Sequence, residues 1–311
     1  MKKNNSEYFL TYKNWLRKKH PQFSLIRKIS IDGGFTCPNL DGSKGRGGCV
    51  YCNNNSFSPS AGDRMLKPSE QIVKARHKMD RIFAGAKYIA YFQPFTNTYA
   101  PVEQLRDLFY DAIQAEGIVG LSVGTRPDCI GDDVLELLAE IATKVPVTLE
   151  IGLQSANDET LKRINRLHSF AEFRDAMNRS NHLGLERSVH VILGLPGESQ
   201  QDYINTAQSL WEWDIDAVKI HPLHIVRGTE LEKWFLAGDY QPLEIEEFTV
   251  GAVDFIERTH PDVAIERFTG EAQGDMLVAP DWAGDRIQLL NEINRLFELR
   301  GTRQGSLYLK K

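Results

Sequence analysis

The chain has 311 residues and a mass of 35.3 kDa, with 41% apolar and 25% charged residues, an ordinary globular composition. A chain near ~300 residues buries roughly three quarters of its unfolded surface, so it needs no disulfides to hold a core. Net charge is −5, mean hydropathy is −0.37, and no apolar run approaches the ~18 residues of a membrane span. The first residues carry charges throughout and have no apolar h-region, which argues for a cytoplasmic protein without a membrane partner.

In chain order, residues 1–30 hold eight Lys and Arg against Glu7, a net of +7. Residues 1–20 read as an amphipathic capping helix with Tyr8, Tyr12, Trp15 and Leu16 on one face. An apolar run at 25–31 reads as a strand and leads to Asp32-Gly33-Gly34 and Cys37. Further strand-like runs fall at 88–92, 120–124, 147–153, 189–193 and 217–220. Helical patterns lie between them at 68–83, 101–115, 134–142, 171–183 and 202–213. The tail predicts a helix at 245–256, a strand at 263–268 and a helix at 287–299. Residues 295–311 carry a net of +4, which leaves −16 on the 264 residues between the basic ends. Basic ends on an acidic body suit a polyanion such as RNA; a solvated surface with basic tails gives the same pattern.

Six βα units in succession predict an α/β fold, a partial (βα)6 TIM-like barrel with parallel strands, an N-terminal helix and a small C-terminal α/β extension. The expected division is a basic cap at 1–24, the barrel at 25–224 and an extension covering it at 225–311. Chemistry in such barrels sits past the C-terminal strand ends. Gln93, Arg126, Asp128, Gln154 and His221 all follow or end an apolar run, as that rule requires.

Of the four cysteines, Cys37, Cys49 and Cys52 fall within sixteen residues as C-x11-C-x2-C, and four glycines in 41–48 allow the loop to fold back. Close thiols without an export signal suggest metal or redox work rather than staples. Three sulfurs fit an iron–sulfur cluster with one open iron, a zinc site completed by a fourth ligand, or a dithiol pair. Cys129, 77 residues after Cys52, is the remaining thiol.

These motifs resemble the radical SAM superfamily, in particular the elongator-like clan and its short bacterial YhcC/YtqA-type subfamily. The resemblance rests on the long cysteine spacing and on four segments. They are Gly124-Thr125-Arg126-Pro127-Asp128-Cys129, Leu149-Glu150-Ile151-Gly152-Leu153-Gln154-Ser155, Gly194-Leu195-Pro196-Gly197 and Lys219-Ile220-His221-Pro222-Leu223-His224, and the likeness spans about residues 25–280. It implies that Cys37, Cys49 and Cys52 hold a [4Fe-4S] cluster at three irons, with S-adenosylmethionine on the fourth. It further implies reductive cleavage of that cofactor to a 5′-deoxyadenosyl radical that abstracts hydrogen from a substrate. Gln154, Arg166 and His190 match cofactor-contacting positions, and Gly194 and Gly197 match a turn near adenine. The usual Gly-Gly-Glu turn is replaced by Tyr91-Phe92-Gln93, which leaves Gln93 to meet the methionine amine.

Arg126, Asp128, Cys129, Lys219, His221, His224 and Glu271 are the expected substrate-facing residues; for Cys129 packing is favoured over supplying a hydrogen atom, since buried thiols are usually inert. The clan's tRNA members make the C5 side chain of a wobble uridine the leading substrate, with a small metabolite or a protein side chain as alternatives. A zinc-stabilised RNA-binding module without catalysis is the competing reading from another class. About ninety residues after the barrel are too few for the acetyltransferase domain of the larger relatives. A reduced flavodoxin or ferredoxin is the implied electron donor.

Overall fold

The computed structural model describes residues 7–57, 60, 63–270, 272 and 274–309, with the backbone alone at 55, 57 and 274. Six parallel strands follow the predicted order: β1 (Ile26–Ile31), β2 (Lys87–Phe92), β3 (Ile118–Thr125), β4 (Val147–Gln154), β5 (Glu186–Leu193) and β6 (Ala217–Pro222). Two two-residue strands, β7 (Ile225–Val226) and β8 (Ala264–Ile265), and β9 (Leu277–Ala279) complete the set. Among the described residues the main sheet has seven strands, in the order β1-β2-β3-β4-β5-β6-β8, all parallel. Each strand is next to its predecessor, so the sheet curls one way, as successive right-handed βα crossovers demand. β7 and β9 form a separate antiparallel pair.

The helices are α1 (Tyr12–Lys19), α2 (Asn54–Phe57), α3 (Pro68–Ile82), α4 (Val102–Ile113), α5 (Asp132–Ala142), α6 (Asp158–Arg163), α7 (Phe170–Arg179), α8 (Gln200–Ser209), α9 (Glu230–Ala237), α10 (Ile245–Glu257) and α11 (Arg286–Arg300). Their starts are written in local chemistry. Pro68 occupies the first turn of α3, and Ser169 closes a capping box with Glu172 at α7.

Strand alternation separates two faces. Leu121, Val123, Leu149, Ile151, Val189, Val191, Val218 and Ile220 point outward into the main apolar core with Phe109, Phe173 and Phe248. The intervening residues, among them Ser122, Glu150, His190 and Lys219, face the barrel interior, where Glu150 gathers the other three. A sheet covered by helices on one side therefore carries its polar residues on the other.

Two ends depart from expectation. The N-terminal helix occupies only Tyr12–Lys19, because Thr11 caps it and residues just before it run beside β8. Ile265 N donates to Leu10 O at 2.8 Å, and Tyr8, outside the helix, stacks on Phe297 with centroids 5.7 Å apart. The C-terminal strand is two residues long rather than the predicted six. Helix α1 packs on β8, with Trp15, Leu16, Ile89, Ala217 and Ala264 in one small cluster beside the edge of the sheet.

Candidate active site

The cysteine loop leaves β1 through a tight turn in which Gly34 N donates to Asp32 Oδ1 at 2.9 Å. Cys52 N donates to Cys49 O at 3.0 Å, which closes the turn holding both sulfurs. Asn39 then ties the loop to the segment after α6. Its Nδ2 donates to Asn165 O at 2.7 Å and Arg166 O at 3.1 Å, and lies 3.6 Å from Cys49 Sγ. Asn165 returns the contact, donating to Gly48 O at 2.7 Å. Asn165 and Leu167 adopt positive φ of 54° and 58°, conformations that cost a non-glycine residue and persist where surrounding contacts over-determine them.

Cys37, Cys49 and Cys52 line one chamber of about 250 Å³ at the C-terminal strand ends, together with Gln93, Arg126, Gln154, Arg166, His190, Lys219, His221 and His224. Arg166 sits against the sulfurs, with Nη2 donating to Gly152 O at 2.9 Å and Nη1 3.8 Å from Cys49 Sγ. Gln154 has φ of 72° at a register shift between β4 and β5, so its side chain leaves the strand pattern. Gln93 accepts from Ser30 Oγ at 2.9 Å. Burial, then the neighbouring Cys49 and Cys37, push the Cys52 thiol up to about 12. Thiols so placed bind metal only where cationic charge repays ionisation.

One wall of the chamber is a buried charge cluster that reading single motifs missed. Glu150 is fully buried. It accepts from Lys28 Nζ at 2.6 Å and pairs with His190 Nε2 at 2.8 Å; Lys219 Nζ and Ser122 Oγ complete its shell. Glu266 also meets Lys28, at 3.0 Å, and Lys219, at 3.5 Å. Burial opposes ionisation of Glu150, but Lys219 and Lys28 outweigh it and hold the carboxyl well below its ordinary range. Burial, then Lys219, lowers His190 to about 4, so the ring is neutral near pH 7 and donates its Nε2–H to Glu150. Burial lowers His221 as well, with His190 next in importance. The signal that would have found this wall is charge inside otherwise apolar strands: Lys28, beside Arg27, in β1, and the lone Glu150 and Lys219 in β4 and β6.

Other expected residues fall elsewhere. Asp128 grips Arg126 in a bidentate pair at 2.9 and 2.8 Å and takes Lys44 Nζ at 2.6 Å. Burial alone would raise Asp128, yet these two cations lower it to about 2. Arg126 lines the chamber; Asp128 and Cys129 stand behind it. Burial pushes the Cys129 thiol up to about 12, which suits packing. Gly194 and Gly197 do not reach the chamber. They line a separate recess, where Gly194 N donates to Tyr203 Oη at 3.0 Å and Gly194 O accepts from Tyr240 Oη at 2.8 Å. Their φ values of 92° and 86° explain why glycine is needed there. Glu271 lies outside the described residues.

The chamber fits an iron–sulfur cluster and an anionic cofactor group on its own chemistry. Three thiols line it, and among the described residues Arg166 Nε and Arg126 Nη1 are buried with no partner. Guanidinium nitrogens so placed suit a carboxylate. Among the described residues, no three His, Cys, Asp or Glu side chains converge to hold a single ion. None of the described helices is long and apolar enough to cross a membrane.

Comparison with known proteins agrees with this geometry. Residues 43–210 match the Radical SAM superfamily, and residues 215–298 match the Radical_SAM C-terminal domain. Protein YhcC of Escherichia coli K12 is 40% identical over 282 residues, covering 90% of each chain. YtqA of Bacillus subtilis is 35% identical over 283 residues, covering 91% of this chain and 88% of its own. A tRNA uridine(34) acetyltransferase of Dehalococcoides mccartyi is 29% identical over 152 residues, 48% of this chain and 32% of its own. Among solved structures, Elp3 of Methanocaldococcus infernus superimposes with a TM-score of 0.69 at 19% identity, over 91% of this chain and 65% of that one. With the three-cysteine chamber at the mouth of a parallel half-barrel, these matches establish that the chain belongs to the radical SAM superfamily of enzymes.

Proposed function

We propose that Cys37, Cys49 and Cys52 hold a [4Fe-4S] cluster at three corners, that S-adenosylmethionine binds beside it, and that the substrate is the C5 side chain of a tRNA wobble uridine. The observation that carries this reading is one chamber lined by the three thiols and by two arginines that each keep a buried nitrogen without a partner among the described residues. Cluster and cofactor together supply one-electron reduction and hydrogen-atom abstraction.

The chain's own residues hold and shape that chemistry. Asn39 donates toward Cys49 Sγ at 3.6 Å and Asn54 toward Cys52 Sγ at 3.7 Å; such contacts to cluster sulfurs tune reduction potential. Arg166 and Arg126 offer donors to the cofactor's carboxylate, and Gln154, Gln93 and neutral His190 offer hydrogen bonds to its amine and ribose. Lys219, His221 and His224 line the same chamber, which supports a role for them in meeting substrate. The curled sheet forms one wall of the chamber and shields the reacting atoms from water on that side. The tRNA uridine assignment is supported by the partial relatives named for uridine 34, and a flavodoxin or ferredoxin serves as electron source.

The test is anaerobic purification followed by iron, sulfide and zinc assays and reduction in the presence of S-adenosylmethionine. Iron, sulfide and 5′-deoxyadenosine are the expected findings, with iron lost in each of Cys37→Ala, Cys49→Ala and Cys52→Ala. A zinc-loaded, oxygen-stable protein overturns the cluster. Mass spectrometry of tRNA nucleosides from cells lacking the gene tests the substrate; an unchanged profile removes tRNA and leaves the radical chemistry.

A further inference from the structure

We propose that the groove between α1 and α11, floored by β1 and the segment after β8, is the surface on which the RNA strand lies. This inference rests on RNA being the substrate class proposed above, and it concerns a site separate from the cysteine chamber. The groove has a volume of about 340 Å³, and among the described residues its lining holds six basic side chains, Lys13, Arg17, Arg27, Lys28, Arg267 and Arg286, against one acid, Glu266. Glu266 is already engaged by Lys28 and Lys219. Among the described residues no carboxylate pairs with Lys13, Arg17, Arg27 or Arg286. On a chain whose net charge is −5, such a concentration of unmatched cations is the place where a polyanion is attracted rather than repelled.

Two further observations point to a ligand. Tyr12 and Arg27 both line the groove, and among the described residues Arg27 Nε and Tyr12 Oη are buried with no hydrogen-bond partner. Leaving such groups unmatched is costly, and a phosphate oxygen satisfies either one. Arg27 is also held in place, its guanidinium stacked 4.6 Å from the Phe83 ring, so little freedom is lost on binding.

The shape favours a strand over a small anion. Lys13 and Arg17 stand one helical turn apart on α1, about 6 Å along its axis, and Arg286, at the start of α11, lines the same groove, so the charges are spread along it rather than gathered at one point. Half-buried Phe23 on the floor gives a base a ring to stack on. Arg267 lines both the groove and the cysteine chamber, and Lys28 in the groove's floor bonds Glu150 in the chamber's wall at 2.6 Å. A strand in the groove therefore lies against the wall of the reacting site.

The experiment is fluorescence anisotropy of the cluster-loaded protein with a labelled tRNA transcript bearing uridine at the wobble position, repeated across a salt series. Each phosphate contact contributes about 0.7 to 0.9 to the slope of log K against log salt. Lys13→Gln/Arg17→Gln/Arg286→Gln, all at exposed positions, is expected to lower that slope by about two to three. The single variants Lys13→Gln and Arg286→Gln are each expected to lower it by about one, which keeps the test open should the triple variant fold poorly. Lys78→Gln/Arg81→Gln/Lys87→Gln, removing equal charge from exposed positions on and after α3, is expected to leave the slope in place. Wild-type binding with an unaltered slope in the groove variants overturns the groove and spares the RNA reading. Absence of salt-dependent tRNA binding by the wild type overturns both. Displacement of tRNA by polyglutamate at equal charge concentration makes the groove an acidic-peptide site and overturns the assignment to RNA.

Discussion

Arg166 Nη2 donates to the Gly152 carbonyl oxygen at 2.9 Å, and a Cβ built on Gly152 would stand 2.7 Å from that same nitrogen and 2.8 Å from Gln154 Nε2. Glycine is thus the residue that lets two side chains of the chamber close over the strand end. Gly152→Ala is predicted to displace Arg166 and Gln154 while leaving the cysteine loop intact. Iron content should stay at the wild-type level while S-adenosylmethionine affinity, measured by equilibrium dialysis, falls by about tenfold or more, the loss of one charged hydrogen bond. Wild-type affinity in the variant would show that neither side chain holds the cofactor.

Glu150 is the hub of the interior charges, so its loss leaves Lys28 and Lys219 buried with Glu266 as their shared counter-charge. Removing one partner of a buried ion pair costs about 3–5 kcal/mol, whereas apolar replacement of both is far milder. Glu150→Gln is predicted to lower the unfolding free energy measured by urea denaturation by that order, and Glu150→Leu/Lys219→Met to recover part of it. A change under about 1 kcal/mol for Glu150→Gln would contradict the hub.

His190 and His168 are lowered by burial to about 4 and about 3. A depressed histidine binds fewer protons folded than unfolded, so stability is fully present above about pH 6.5 and declines as pH falls toward the folded values. Each ring is predicted to withdraw about 1–2 kcal/mol by pH 5. His168→Asn should flatten the pH dependence of unfolding between pH 6.5 and 5. A profile parallel to the wild type would refute it.

Glu198 shows the opposite sign. Burial raises it to about 7, against the bond from Ser155. A raised carboxyl costs stability as pH climbs past its unfolded value near 4.5, and the cost levels off above about 7. Glu198→Gln is predicted to stabilise the protein by about 1–2 kcal/mol at pH 8 and by nothing measurable at pH 4.5. Calorimetry at the two pH values checks the difference; equal effects at both would exclude a titration.

The cysteine spacing, the six βα units and the rim residues were legible in one dimension because each is a local pattern: sulfurs on one turn, apolar runs of strand length, polar residues just past them. The interior wall was not, since Lys28, Glu150, Lys219 and Glu266 lie on four different strands or strand ends and meet only when the sheet curls. For the same reason Gly194 and Gly197 read as part of the rim, yet Tyr203 and Tyr240 bind the Gly194 backbone in a recess of their own. Chain-local geometry sets which residues can reach the mouth of the barrel. Long-range packing decides which of them face one another, because burying a charge is tolerable only where distant segments bring it a partner.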